Sequence, residues 1–225
     1  MDATKKLLLL AALVLPASAF ANEGGHVDGY YIPSSTLNID YDDFDVDGSI
    51  DGDGFGVKGM VPFGQSQSFF LTGEYQSVSQ DGNISGFDID NDMDQLRLGG
   101  GWQVPLSTGT GAIYAEYVDI KQDQKIEGDK IEGDADGFGV HARLAFPIAN
   151  TVNVYGQVGY LALEGDQNTD VTGFEFLVGA SVDFTRNLGA FIDYRHTELT
   201  LDYDGPNEDD TLQDLRVGIR VLFNT

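Results

Sequence analysis

The C-terminal segment limits this chain's folding choices most. Leu215, Val217, Ile219, Val221 and Phe223 alternate with Asp214, Arg216, Gly218, Arg220 and Leu222. A period of two puts each set on its own face of an extended strand. The pattern recurs upstream. Phe138, Val140, Ala142, Leu144 and Phe146 oppose Gly139, His141, Arg143 and Ala145. Phe174, Phe176, Val178, Ala180, Val182 and Phe184 oppose Glu175, Leu177, Gly179, Ser181 and Asp183. Ten segments read as strands in this way: 28–41, 53–63, 68–78, 93–105, 111–121, 136–147, 151–163, 173–184, 188–200 and 211–223. No segment keeps a helical period.

Connections of two lengths alternate between them. Gly64 to Gln67, Leu106 to Thr110, Ile148 to Asn150 and Thr185 to Asn187 are short, whereas 42–52, 79–92, 122–135, 164–172 and 201–210 are expected to be long acidic loops. A repeat of roughly forty residues, one hairpin per unit, runs through the chain. Its units share Asp53-Gly54-Phe55-Gly56-Val57 with Asp136-Gly137-Phe138-Gly139-Val140, and Gly73-Glu74-Tyr75 with Ala115-Glu116-Tyr117, Ile192-Asp193-Tyr194 and Ile39-Asp40-Tyr41.

The N-terminus reads as an export signal. Lys5 and Lys6 precede an apolar run, Leu7 to Leu15, too short to span a bilayer as a helix, and Ala19-Phe20-Ala21 closes it as a cleavage site. The division expected is a signal peptide over 1–21, cut before Asn22, and one barrel domain over 22–225. Later segments contain no apolar run long enough for a membrane helix, so residence in a membrane has to come from strands. With no cysteine, the domain is held by its ladder and its packing. A net charge of −25 excludes a nucleic-acid partner. The expected fold is therefore all-β: an antiparallel up-and-down transmembrane β-barrel of ten strands, with eight as the alternative. Its apolar faces turn to lipid and its charges turn inward.

This register sets two aromatic belts at the membrane interfaces. Tyr41, Tyr75, Tyr117, Tyr160 and Tyr194 point outward near the long loops, and Phe63, Trp102, Phe146, Phe184 and Phe223 near the short turns. It also turns Asp40, Glu74, Glu116 and Asp193 of the up-running strands inward against Lys58, Arg97, Arg143, Arg216 and Arg220 of the down-running ones, with Arg195 as a cation on an up strand. Buried charge is costly unless paired, so an ion-paired, narrow lumen is expected, with acid opposite base on neighbouring strands.

The Ala19-Phe20-Ala21 signal, the strand grammar over 28–223 and the terminal strand ending at Phe223 resemble the small outer-membrane barrels of the outer membrane protein A and X type, a porin-like group. That resemblance implies a monomer in the outer membrane whose partners are lipid, lipopolysaccharide and, during biogenesis, the barrel-assembly machinery. The best-known members have eight strands, and their terminal aromatic is not followed, as here, by Asn224 and Thr225.

No cofactor is expected, with one exception. Asp43, Asp45, Asp47 and Asp51 fit the start of a calcium loop, D-x-D-x-D-G, but Gly54 stands where such a loop has its bidentate glutamate. Asp88, Asp90, Asp92 and Asp94 form a second acidic run. Of the histidines, His26 reads as tail, His141 as lumen and His196 as outward, so no catalytic site is expected. The leading function is a structural or surface-interaction barrel that displays acidic loops. A narrow cation-favouring pore is the alternative, followed by an outer-membrane protease or lipid-modifying enzyme.

Overall fold

The computed structural model describes residues 25–41, 46–64, 68–84, 86–126, 128–166, 169–202 and 208–223, with the side chains of 40, 41, 46, 47 and 208 outside the description. The export segment, Asp43 and Asp45 lie outside the described residues. The ten strands are β1 (Gly25–Tyr41), β2 (Val46–Phe63), β3 (Phe69–Ile84), β4 (Phe87–Leu106), β5 (Gly109–Ile126), β6 (Asp129–Ala149), β7 (Val152–Gly165), β8 (Thr169–Asp183), β9 (Leu188–Asp202) and β10 (Glu208–Phe223). Each pairs antiparallel with the next, and β1 pairs with β10, so the sheet closes into a barrel. Gly25 meets Phe223 and Tyr31 meets Val217 at the seam. Closure leaves no edge, which lipid requires because it cannot hydrogen-bond an unpaired strand.

The register on β1 shifts between Tyr31 and Ser34, where Pro33 sits without an N–H for the ladder. The shift exchanges the faces: Tyr30 and Ile32 are buried inward before it, Ser35 and Leu37 after it. It also corrects the alignment of the first repeat. Tyr31, not Tyr41, pairs with Phe55, as Tyr117 pairs with Phe138 and Tyr160 with Phe174. Asp40 lies much further up β1, opposite Asp47 and Asp209.

The expected long acidic loops are mostly strand. The 79–92 segment turns at Gly86, and 122–135 at Gly128, each with φ +94, so β3–β4 and β5–β6 are tall hairpins with tight tips. Aspartate is a poor strand former, and the acids concealed the alternation. On β4, Asp88, Asp90, Asp92 and Asp94 face outward while Ile89, Asn91 and Met93 are buried inside. Further down β4 the same parity gives the opposite polarity: Leu98 and Trp102 face outward while Gln95 and Arg97 are buried. The strand is apolar outside within the bilayer and apolar inside above it.

Large inward side chains are opposed by glycine. Tyr30 lies between Gly56 on β2 and Gly218 on β10, and Tyr114 lies beside Gly101. A Cβ at Gly56 would come within 2.3 Å of the Tyr30 ring. Gly56→Leu should therefore lower stability by about 1–3 kcal/mol, read as a lower urea midpoint of the barrel in lipid vesicles. Gly29→Ala, where an added Cβ meets nothing within 4 Å, should not lower it.

Candidate functional site

The interior is layered from the short-turn end upward. First comes a cavity of about 560 Å³, whose wall includes Ser68, Gln103, Pro105 and Thr110 beside the short turns. Above it a charged network crosses the lumen. The Arg216 Nε donates to Asp193 Oδ1 at 2.5 Å and its Nη1 to Glu74 Oε1 at 2.8 Å. Asp193 also accepts from the Lys58 ammonium at 2.8 Å and the Tyr155 hydroxyl at 3.0 Å. Glu74 also accepts from Arg195 at 2.7 Å and Tyr30 at 2.5 Å. Arg97 holds Glu175 in a two-pronged contact at 2.6 and 3.1 Å and reaches Glu116 at 2.9 Å. Glu116 lies 3.0 Å from His141 Nε2, and Gln157 of β7 donates to Glu175 at 3.3 Å. Every strand of the barrel contributes to this network. Nearer the short turns, Arg220 clasps Asp28 at 2.7 and 2.9 Å.

Amides and hydroxyls form the next layer. Asp214 accepts from Ser35 and Gln76 at 2.7 Å each, Gln80 donates to Ser35 at 2.9 Å, and Asn91 donates to Gln80 at 2.8 Å. The outermost layer is apolar. Leu37, Ile50, Ile84, Ile89, Met93 and Leu212 form one cluster, and Val118, Leu161, Leu163 and Val171 another. Ile120 packs against both, and with Ala135, Leu199 and Leu201 the two clusters draw on all ten strands.

Of the expected lumen charges, Lys58, Glu74, Arg97, Glu116, Asp193, Arg195, Arg216 and Arg220 meet in these contacts. Arg143 faces the cavity, its guanidinium 4.8 Å from the Tyr155 ring, and the Asp40 side chain lies outside the description. Two corrections apply. Several pairs reach across the lumen instead of along neighbouring strands, such as Lys58 of β2 to Asp193 of β9 and Arg97 of β4 to Glu175 of β8. Acids also occupy down-running strands, as Glu175 and Asp214. The acid–base sorting missed Asp28, Glu175 and Asp214, although period two put them on inward faces. His26 is not tail but the buried start of β1, 3.8 Å from Asp28.

On the outside, the hydroxyls of Tyr31, Tyr75 and Tyr117 donate to Asp53, Asp94 and Asp136 at 3.0, 2.7 and 3.1 Å, and Tyr194 donates to Gln213 at 2.8 Å. Each ring sits on the apolar side of this border with its hydroxyl on the polar side. Tyr160 also faces outward, and the Tyr41 side chain is not described. Phe63, Trp102, Phe146, Phe184 and Phe223 face outward near the short turns, with Trp102 about half exposed at 47 %. His196 is on the outer surface, 2.9 Å from Glu198 and stacked on Phe176. Of the calcium-loop acids, Asp51 is described, and it accepts from Thr36 at 2.5 Å. Asp88, Asp92 and Asp94 accept from Asn83, Ser79 and Tyr75 on β3. Among the described residues, no group of three or more His, Cys, Asp or Glu is placed to hold a metal ion.

An outward apolar band between aromatic belts, around a closed ladder with charge inside, is the build of a barrel made for lipid. The family model for the outer membrane protein β-barrel domain matches residues 111–223. The chain belongs to this outer-membrane β-barrel family. The solved structures it is similar to include the outer membrane protease OmpT of Escherichia coli, at 8 % identity and TM-score 0.58, covering 90 % of this chain and 98 % of that one. The β domain of the Bordetella autotransporter BrkA is matched at 12 % identity and TM-score 0.55, over 89 % of this chain and 100 % of that one. The translocator domain of the autotransporter NalP of Neisseria meningitidis is matched at 12 % and 0.50, over 97 % and 96 %. Identities this low carry the fold alone. No curated protein sequence matches the chain.

Asp193 serves two buried cations, so Asp193→Ala leaves both Arg216 and Lys58 short of a carboxylate. It should cost about 3–5 kcal/mol, measured by urea titration of the folded barrel. Glu132→Ala, which removes a partner of Lys130 at an exposed hairpin tip, should leave the midpoint in place.

Proposed function

We propose that the protein is a closed outer-membrane scaffold, exported with cleavage after Ala21, that presents its tall acidic hairpins to the exterior. The reading rests on one observation: the lumen is crossed first by ion pairs and then by an apolar layer to which all ten strands contribute. A pore needs a continuous polar path, and an apolar constriction resists wetting. Six cations, Lys58, Arg97, Arg143, Arg195, Arg216 and Arg220, face Asp28, Glu74, Glu116, Glu175, Asp193 and Asp214 inside the barrel, and Asp183 and Asp210 share the inward parity of β8 and β10, so the enclosed charge nearly balances and most of the negative charge is displayed outside.

The display surface lies above the tyrosine border, where Asp90, Asp92, Glu132, Asp134, Asp136 and Glu198 are exposed. Lipopolysaccharide phosphates carry the same sign, so divalent cations are the natural bridge between them. The protein acts as a monomer without a catalytic role: His196 with Glu198 faces the outside, against the Phe176 ring, and not a cleft.

In planar bilayers the barrel should insert without sustained single-channel current. Steady cation-selective steps from the purified protein would instead establish the narrow pore.

A further inference from the structure

The cavity at the short-turn end has a composition unlike the rest of the molecule. The whole chain carries −25, yet the cavity wall holds six cations, Lys58, Arg97, Arg143, Arg195, Arg216 and Arg220, and two carboxylates, Glu74 and Glu116. The balancing acids are packed behind the wall. Asp28 is taken by Arg220, Asp193 by Arg216 and Lys58, and Glu175 by Arg97. Their N–H groups are turned toward those acids.

Arg143 differs from the others. Among the described residues its guanidinium has no carboxylate partner and lies over the Tyr155 ring. Its ladder neighbours are Ala112 on β5 and Gln157 on β7. Nothing there neutralises it, while its planar fork of donors suits a carboxylate or a phosphate. A concave, low-dielectric wall that presents a cation without a carboxylate partner attracts a counter-ion. The volume, about 560 Å³, lies within the range of small-molecule sites, and Tyr114, Tyr155 and Phe70 supply an apolar side.

Access is one-sided. The cavity reaches the short-turn rim, the periplasmic end of such barrels, while the apolar layer closes the other end and the outer surface repels anions. We propose that this vestibule is a binding site for a compact polyvalent oxyanion, a polycarboxylate or a phosphate compound, held by Arg143 together with the Lys58 and Arg220 charges and taken up from the periplasm. This goes beyond the scaffold reading and rests on it only for the apolar layer that closes the other end: conductance tests that layer, and anion titration tests the site.

The test is calorimetric titration of the folded protein in non-ionic detergent with citrate and, separately, with pyrophosphate, at constant ionic strength set by chloride. Saturable binding of at least one, near one per barrel, is expected, and the better ligand identifies the class. Arg143→Gln removes no carboxylate's partner, so the barrel should keep its fold while affinity falls about ten-fold or more. Ala112→Asp leaves Arg143 in place but gives it a cross-strand carboxylate, and should weaken binding as much, so the test stands even if Arg143→Gln fails to fold. Lys125→Gln, on the exposed β5 extension, should bind like the parent. Absence of saturable binding by both anions, or affinity that survives Ala112→Asp or a folded Arg143→Gln, overturns the proposal.

Discussion

Hydrocarbon offers nothing to a peptide N–H or C=O, and most of this architecture follows from that. A sheet in lipid must close, so β1 has to find β10 across nearly the whole chain. Closure then fixes inside and outside by parity along each strand, apart from the register shift at Pro33. Once the outward set is committed to lipid, each polar side chain of the band is forced inward, where no bulk water solvates it. The ion-paired layer is what a closed barrel of this width does with the charges it has enclosed. Glu74, Asp193 and Glu175 each accept from several donors because a single buried partner would leave lone pairs unmet.

Space inside is limited as strictly as charge. Tyrosine and histidine rings fit because glycine stands beside them in the ladder: Gly56 and Gly218 flank Tyr30, and Gly159 faces His141. The Asp-Gly-Phe-Gly-Val repeat is therefore two messages in one. Its phenylalanine faces the outward tyrosine of the preceding strand, 5.8 Å between ring centroids for Phe138 and Tyr117, and its glycines leave room for bulk within.

Period two made the strand number and most of the parity of the membrane band legible, because lipid enforces alternation, and the alternating connection lengths with the export signal made the closed barrel legible. The outward side of Tyr75, Tyr117, Tyr160, Tyr194 and Trp102 was legible for the same reason. The partners of the charges were not. A pair such as Lys58 and Asp193 spans the lumen, and nothing local in either strand encodes how wide that lumen is. The position of Tyr31 was hidden by Pro33, which shifts the register, and by Ile39-Asp40-Tyr41, which imitates the repeat higher up. The apolar layer was hidden most deeply. Ile84, Ile89 and Met93 lie among aspartates that read as loop, and their role appears only once alternation is allowed to keep its parity while reversing its polarity.

That reversal has a mechanical consequence. On β4 the outward face passes from Leu96 and Leu98 to Asp94 and Asp92 within one step of alternation, and on neighbouring strands the tyrosine hydroxyls are tied to aspartates at the same border. Sinking the barrel would drag carboxylates into hydrocarbon, and raising it would lift Trp102 and the lower phenylalanines out of their interface. The barrel has one depth at which it can rest. A bilayer of another thickness would have to stretch or thin to meet the wall, or the barrel to tilt within it, so the polarity border couples the protein to the height of the lipid around it.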